Sequence, residues 1–190
     1  MPDSSDTAHS IELLLDSHSD AAIRAAWQAL ADAGLPSQVN VKSSTNRPHI
    51  TLLAAERISP DVDEVLRGLA SQLPMECVVG AHVVFGGPVF GGPRLTLARV
   101  IVPSAELLAL HAEIYRLALP FLSGQPYPHC RPGHWTAHAT LGRRFTAAQV
   151  GAALALAGEV AAEVAPDLMA QAVALRRWDS DARTDHLLID

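Results

Sequence analysis

Two segments of the chain, Arg47-Pro48-His49-Ile50-Thr51-Leu52 and Trp135-Thr136-Ala137-His138-Ala139-Thr140-Leu141-Gly142, repeat the order His-x-Thr-Leu. An imidazole titrates near neutrality, so of two that share a site one can accept a proton while the other releases one. A threonine hydroxyl two residues away can donate a hydrogen bond to an oxygen on which negative charge builds. Two proton carriers and two such donors suit displacement at a phosphodiester. One neutral imidazole takes the proton of an attacking water or ribose hydroxyl, the other protonates the leaving oxygen, and the hydroxyls hold the non-bridging oxygens. The scheme uses protein groups alone, so neither a metal nor a cofactor is expected. The spacing does not say which histidine is acid and which is base.

One copy would mean little, because most strand histidines and threonines are simply packed or hydrogen-bonded. Two copies weigh more, since a shuffled chain of this composition carries only about 0.05 such matches. Residues i and i+2 of a strand share a face. His49 and Thr51 therefore point one way while Ile50 and Leu52 point into a core, and His138 and Thr140 likewise oppose Ala139 and Leu141.

The elements that must hold these strands are legible in part. Residues 10–15 read as a buried strand. Ser19 reads as the N-cap of a helix with Ile23, Ala26, Trp27 and Leu30 on its apolar face, ended by Gly34 and Pro36. A polar loop follows, with a short strand expected at 39–41, and Pro48 biases residues 47–53 toward extended backbone. Ser59 and Pro60 open a second helix bearing Val62, Val65, Leu66 and Leu69. Strands are expected at 76–85 and 95–102, separated by a glycine- and proline-rich turn at 86–93. Leu107, Leu108, Ile114, Tyr115 and Leu117 mark a helix ended by Pro120, and 123–133 reads as a long loop. Thr146 and Gln149 form a capping box for a fourth helix, and strands at 169–178 and 186–189 close the chain as a pair. A His-x-Thr-Leu strand followed by a capped helix thus occurs twice, which points to two related lobes within a single domain spanning 1–190.

In the motifs Arg-Pro-His-Ile-Thr-Leu and Trp-x-x-His-x-Thr-Leu-Gly the chain resembles the 2H phosphoesterase superfamily, on its 2'-5' RNA ligase-like and cyclic phosphodiesterase branch. The resemblance extends over nearly the whole chain in length and element order. It implies a bilobal α+β fold with antiparallel sheets lining a central cleft and helices outside. It implies metal-free opening of 2',3'-cyclic phosphates to 2'-phosphates, with His49, Thr51, His138 and Thr140 as the catalytic set. Ala137 stands where many relatives carry proline, which alters the entry to the strand rather than the chemistry.

Other residues are weaker candidates. Arg47, Arg143 and Arg144 flank the motifs and suit phosphate binding. Tyr127 could stack on a base from the loop, whereas Trp135 and Phe85 read as core. The spacing of His129, Cys130, His134 and His138 fits no common zinc pattern. The remaining histidines, His9, His18, His82, His111 and His186, read as structural or exposed.

Composition limits the partners. The net charge is −6, from 14 Lys and Arg against 20 Asp and Glu, which disfavours a broad duplex-binding surface. An RNA end or a small cyclic nucleotide, met at one site by a few arginines, is the expected substrate. Cys77 and Cys130 suggest no disulfide framework. The polar, acidic first ten residues lack the pattern of a secretory signal, and no apolar run is long enough to span a membrane. A monomer in the cytoplasm is expected. Two readings remain beside hydrolysis: joining of RNA ends through a 2'-5' linkage, which uses the same residues, and a nucleotide-binding module without turnover, against which two intact histidines speak.

Overall fold

The computed structural model describes residues 8–86, 94–161 and 167–190, with 158–161 described by backbone alone. In chain order the elements are β1 (His9–Leu15), α1 (Ser17–Asp32), β2 (His49–Ala55), β3 (Arg57–Ile58), α2 (Val62–Arg67), β4 (Met75–Phe85), β5 (Leu95–Ile101), α3 (Ala105–Ala118), β6 (Leu122–Ser123), β7 (His138–Phe145), α4 (Ala147–Ala161), β8 (Leu168–Asp179) and β9 (Thr184–Ile189). The mixed α and β content with a large antiparallel sheet is the fold class that the resemblance implied.

The main sheet has seven strands in the order β2-β1-β8-β4-β5-β7, with β9 beside β8. β4 ties its two halves together: Met75–Val79 pair with β8, and the segment from Val79 to Phe85 pairs with β5. The sheets expected on either side of a cleft are thus halves of one strand path. That path begins at β2 and ends at β7, the two motif strands, and its ends come into contact.

Alternating side chains explain how the ends meet. Ile50, Leu52, Ala139 and Leu141 are buried, while His49, Thr51, His138 and Thr140 are half-exposed on the opposite faces. The buried set joins one apolar cluster with Ile11, Leu13 and Leu15 of β1, Ile23, Trp27 and Leu30 of α1, and Leu107, Leu110 and Ile114 of α3. Full burial of each large aliphatic side chain stabilises by about 1.5–3 kcal/mol. Two tryptophans add a polar link, each to a motif strand. Trp27 Nε1 donates to the Thr140 carbonyl and Trp135 Nε1 to the Thr51 carbonyl, both at 2.9 Å.

Several local expectations are revised. α1 begins earlier than Ser19, because the Asp16 carboxylate caps it, accepting from the Ser19 amide at 3.0 Å and the Ser19 hydroxyl at 2.8 Å. Aspartate caps as well as serine does, and Asp16 also accepts from the Gln171 amide of β8 at 2.7 Å. The strand expected at 39–41 is instead a turn of 3-10 helix, Gln38–Asn40, capped by Ser37. Asn46 Nδ2 gathers the Gln38 and Val41 carbonyls at 2.9 and 3.2 Å, which folds this stretch back on itself. The capping box forms as read, with Thr146 N to Gln149 Oε1 at 2.9 Å and Gln149 N to Thr146 Oγ1 at 3.2 Å. Of the expected turn at 86–93, residues 87–93 lie outside the described residues, as do 1–7.

The glycine that closes the second motif has a steric reason. A Cβ on Gly142 would stand 2.5 Å from the Pro36 carbonyl oxygen and 2.8 Å from Phe145 Cε2. Backbone cannot step aside as a flexible side chain can, so Gly142→Ala must push β7 away from the segment after α1. We expect a loss of about 1–3 kcal/mol, read as a lower urea midpoint. An unchanged midpoint would refute the close approach.

Candidate active site

His49 opens β2 and His138 opens β7. Each is oriented by the carbonyl two residues before it. His49 Nδ1 lies 2.7 Å from the Arg47 oxygen and His138 Nδ1 lies 2.7 Å from the Thr136 oxygen. A carbonyl only accepts, so both Nδ1 atoms carry hydrogen and both Nε2 atoms are left for proton transfer. The duplicated sequence therefore repeats a duplicated tautomer lock. Among the described residues, no protein group engages the hydroxyl of Thr51 or Thr140, which leaves both able to bond a ligand.

The surroundings of the two rings differ in sign. Burial holds His138 below the usual histidine range, against the hydrogen bond to the Thr136 carbonyl, and the charges of His49, Arg143 and His129 push the same way. Phe85 stands beside it, ring centroids 4.6 Å apart and tilted. Phe85 is therefore a half-buried wall against His138 rather than a core residue. His49 instead faces a carboxylate, Glu12 Oε1, 3.7 Å from Nε2.

Glu12 and its partner Arg176 were not singled out from the sequence. Both are almost fully buried. Glu12 sits opposite Thr51 on one side and Arg176 on the other in the strand register. Burial would raise the Glu12 carboxyl. The charges of His49 and then Arg176, with hydrogen bonds from Ser10 and Arg176, outweigh that and hold it below the ordinary carboxylate range. A glutamate inside the apolar stretch 11–15 was the available signal, since a buried charge must be paired.

The flanking candidates separate. Arg143 is near enough to His138 to depress it. Arg47 is drawn toward Asp20 of α1, Nε to Oδ2 3.6 Å. Arg144 is exposed at the end of β7 with φ of 67°. Tyr127 packs against Ala8, Ala54 and Cys130, with its ring 5.9 Å from that of His129. His129, read earlier only as part of a poor zinc pattern, is thereby the loop residue placed near His138. The loop itself is anchored by His111, whose Nε2 meets the Cys130 carbonyl at 3.0 Å and whose ring stacks on Trp135 at 3.9 Å.

Burial raises the Cys130 thiol to about 11, so it offers no ready thiolate beside these histidines. Elsewhere, His9, Asp179 and Asp181 gather at a cavity of about 390 Å³. Arg57 Nη2 already sits 3.1 Å from Asp181 there and supplies a positive charge. No helix among the described residues is long and apolar enough to cross a membrane.

The family model of the 2'-5' RNA ligase superfamily matches residues 15–182. Among solved structures, Kluyveromyces marxianus Usb1 is similar with a TM-score of 0.51 at 12% identity, covering 96% of this chain and 98% of that one. The structure of the same protein with uridine monophosphate has a TM-score of 0.49 at 12% identity, covering 97% and 98%. At that identity the likeness at a TM-score of 0.51 speaks for the fold alone. No curated protein matches the chain.

Proposed function

The chain belongs to the 2'-5' RNA ligase superfamily of 2H phosphoesterases, and on that premise we propose that it is a metal-independent phosphodiesterase that opens 2',3'-cyclic phosphates of RNA ends or small nucleotides. The observation that carries the reading is the pair of imidazoles at the meeting ends of the sheet, each with Nδ1 tied to a carbonyl and Nε2 available. A water oxygen attacks phosphorus and its proton passes to the Nε2 lone pair of the neutral imidazole. The bond from phosphorus to the 3' oxygen breaks, and that oxygen takes the Nε2 proton of the charged imidazole. A 2'-phosphate remains. Thr51 and Thr140 donate to the non-bridging oxygens as charge builds on them. Arg143, beside His138, is the flanking arginine best placed to hold a phosphate oxygen, and Tyr127 with His129 offers a ring surface for a base.

Turnover of 2',3'-cyclic AMP, with a 2'-5' linked dinucleotide and an RNA-joining reaction in parallel, tests this directly. The cyclic phosphate is expected to open to the 2'-phosphate at a rate unchanged after dialysis against EDTA. Loss of turnover on chelation, restored by zinc or manganese, would overturn the mechanism. Joining without hydrolysis would assign the same residues to a ligase.

A further inference from the structure

His9, Asp179 and Asp181 have no task in the reaction proposed above. His9 opens β1, and the two aspartates stand where β8 turns toward β9. One ligand atom of each residue lies within 4.8 Å of the other two. His9 Nε2 is 3.3 Å from Asp181 Oδ2 and 3.5 Å from Asp179 Oδ1. Both distances exceed the roughly 2.7–3.2 Å of an ordinary N–H···O bond, and exceed a charge-assisted one by more. They match instead the edge of a tetrahedron around a zinc-type ion, about 3.4 Å for bonds of about 2.1 Å. The imidazole is only 3% exposed, and its Nδ1 has no hydrogen-bond partner among the described residues. A buried ring that makes no hydrogen bond of normal length thus directs Nε2 at two carboxylates. All three residues line a cavity of about 390 Å³. The amides of Asp181 and Ala182, each donating to Asp179 Oδ1 at 3.0 Å, hold that carboxylate in place.

We propose that His9, Asp179 and Asp181 form a binding site for a divalent cation of the zinc class. Bound through Nε2 an imidazole is neutral, so the two carboxylates balance the charge of the ion. An imidazole nitrogen beside two carboxylates suits zinc, whereas calcium and magnesium take oxygen ligands. The cavity leaves room for water at a fourth position. Arg57 is the competing cation, with Nη2 3.1 Å from Asp181 Oδ2. That ion pair is exposed at both ends, 64% and 56%, and is therefore worth little, so the long Arg57 side chain can yield to an ion. His9 alternates along β1 with Ser10 and Glu12, whose side chains meet each other beside His49. The ion therefore belongs to the opposite face of the sheet and joins no step of the phosphodiesterase scheme. Its effect is to tie the first strand to the β8–β9 turn, segments 172 residues apart in the chain.

The test is zinc binding by the full chain after dialysis against EDTA. Equilibrium dialysis gives the affinity, thermal unfolding the coupling to the fold, and cobalt(II) absorption the coordination geometry. The wild type is expected to bind zinc, to show the intense visible absorption of four-coordinate cobalt, and to gain Tm as zinc rises, by mass action on the folded state. Asp181→Asn changes an exposed side chain and so should fold as the wild type does. It is expected to weaken zinc binding by about tenfold or more and to lose both the cobalt absorption and the rise in Tm. Asp179→Asn, which keeps an acceptor for the two amides, should do the same. Arg57→Ala removes the competitor and should tighten binding by up to about fivefold. His49→Ala should bind zinc as the wild type does, which separates this site from chelation by the motif histidines. Zinc bound with undiminished affinity by both aspartate variants would overturn the proposal, as would binding lost in His49→Ala instead. So would a wild type that leaves zinc unbound. None of these readouts depends on phosphodiesterase turnover.

Discussion

His49→Ala and His138→Ala are each expected to slow opening of a 2',3'-cyclic nucleotide by about 10²–10⁴-fold. The double variant should lose far less than the product of the two, because acid and base act as a unit on one proton relay. The pH dependence follows from the surroundings of the rings. A base works deprotonated, and His138 is the ring whose surroundings favour that form, so kcat/KM is expected to rise as pH climbs through its value. Burial, aided by the charges of His49, Arg143 and His129, places that value below the ordinary 6.5. The acidic limb is therefore expected below 6.5, with the neutral form of His138 prevailing at pH 7. His138→Ala should abolish that limb, and His49→Ala should leave it in place. Thr51→Val and Thr140→Val should lower the rate and keep both limbs, since a hydroxyl does not titrate in this range. A flat profile from about pH 5 to 9, or near-normal turnover by His49→Ala, would show that the chemistry lies elsewhere.

The residues behind that expectation were legible because a strand has period two. Once Pro48 set the first motif as extended, Ile50 and Leu52 had to be buried and His49 and Thr51 had to face away, and the burial of each residue follows that pattern. The second motif alternates in the same way. Helix positions were legible for a related reason. Ile23, Trp27 and Leu30 are buried on one face of α1, and the reciprocal bonds of Thr146 and Gln149 form where the capping pattern stood.

What the sequence hid are contacts between distant segments. Glu12 and Arg176 pair across 164 residues, and no local pattern joins β1 to β8. Glu12 interrupts an apolar run in β1 and Arg176 stands beside Arg177 in β8, a sign that partners exist but not which ones. The cap of α1 was misplaced by competition: Asp16 and Ser19 both qualify, and Asp16 prevails because its second oxygen also serves Gln171 of β8. Phe85 was assigned to the core on hydrophobicity alone, and only the pairing of β4 with β5, itself next to β7, brings it against His138.

Asp63→Ala is expected to cost about 3–5 kcal/mol of stability, because it leaves a buried guanidinium without its partner. Arg177 follows Arg176 on β8 and so points to the opposite face of the sheet, where its side chain is only 1% exposed. Its Nε donates to Asp63 Oδ1 at 2.6 Å and its Nη2 to Oδ2 at 2.9 Å. The alternative carboxylate, Asp179, stands 3.9 Å from Nη1, beyond a hydrogen bond, and Nη1 has no hydrogen-bond partner among the described residues. Asp63 also carries α2, a six-residue helix too short to hold itself in water. Its attachment depends on this fork and on the burial of Val62 and Leu66. Urea denaturation measures the loss. Replacing both partners, as Arg177→Met with Asp63→Leu, should cost less than Asp63→Ala alone, since no buried charge is then stranded. If the double replacement is the worse of the two, the net attraction of the pair outweighs the cost of burying it, and the stranded charge is not the cause. At temperatures where Asp63→Ala remains folded, both limbs of its pH profile should coincide with the wild type, because the fork lies on the face of β8 away from Glu12 and His49.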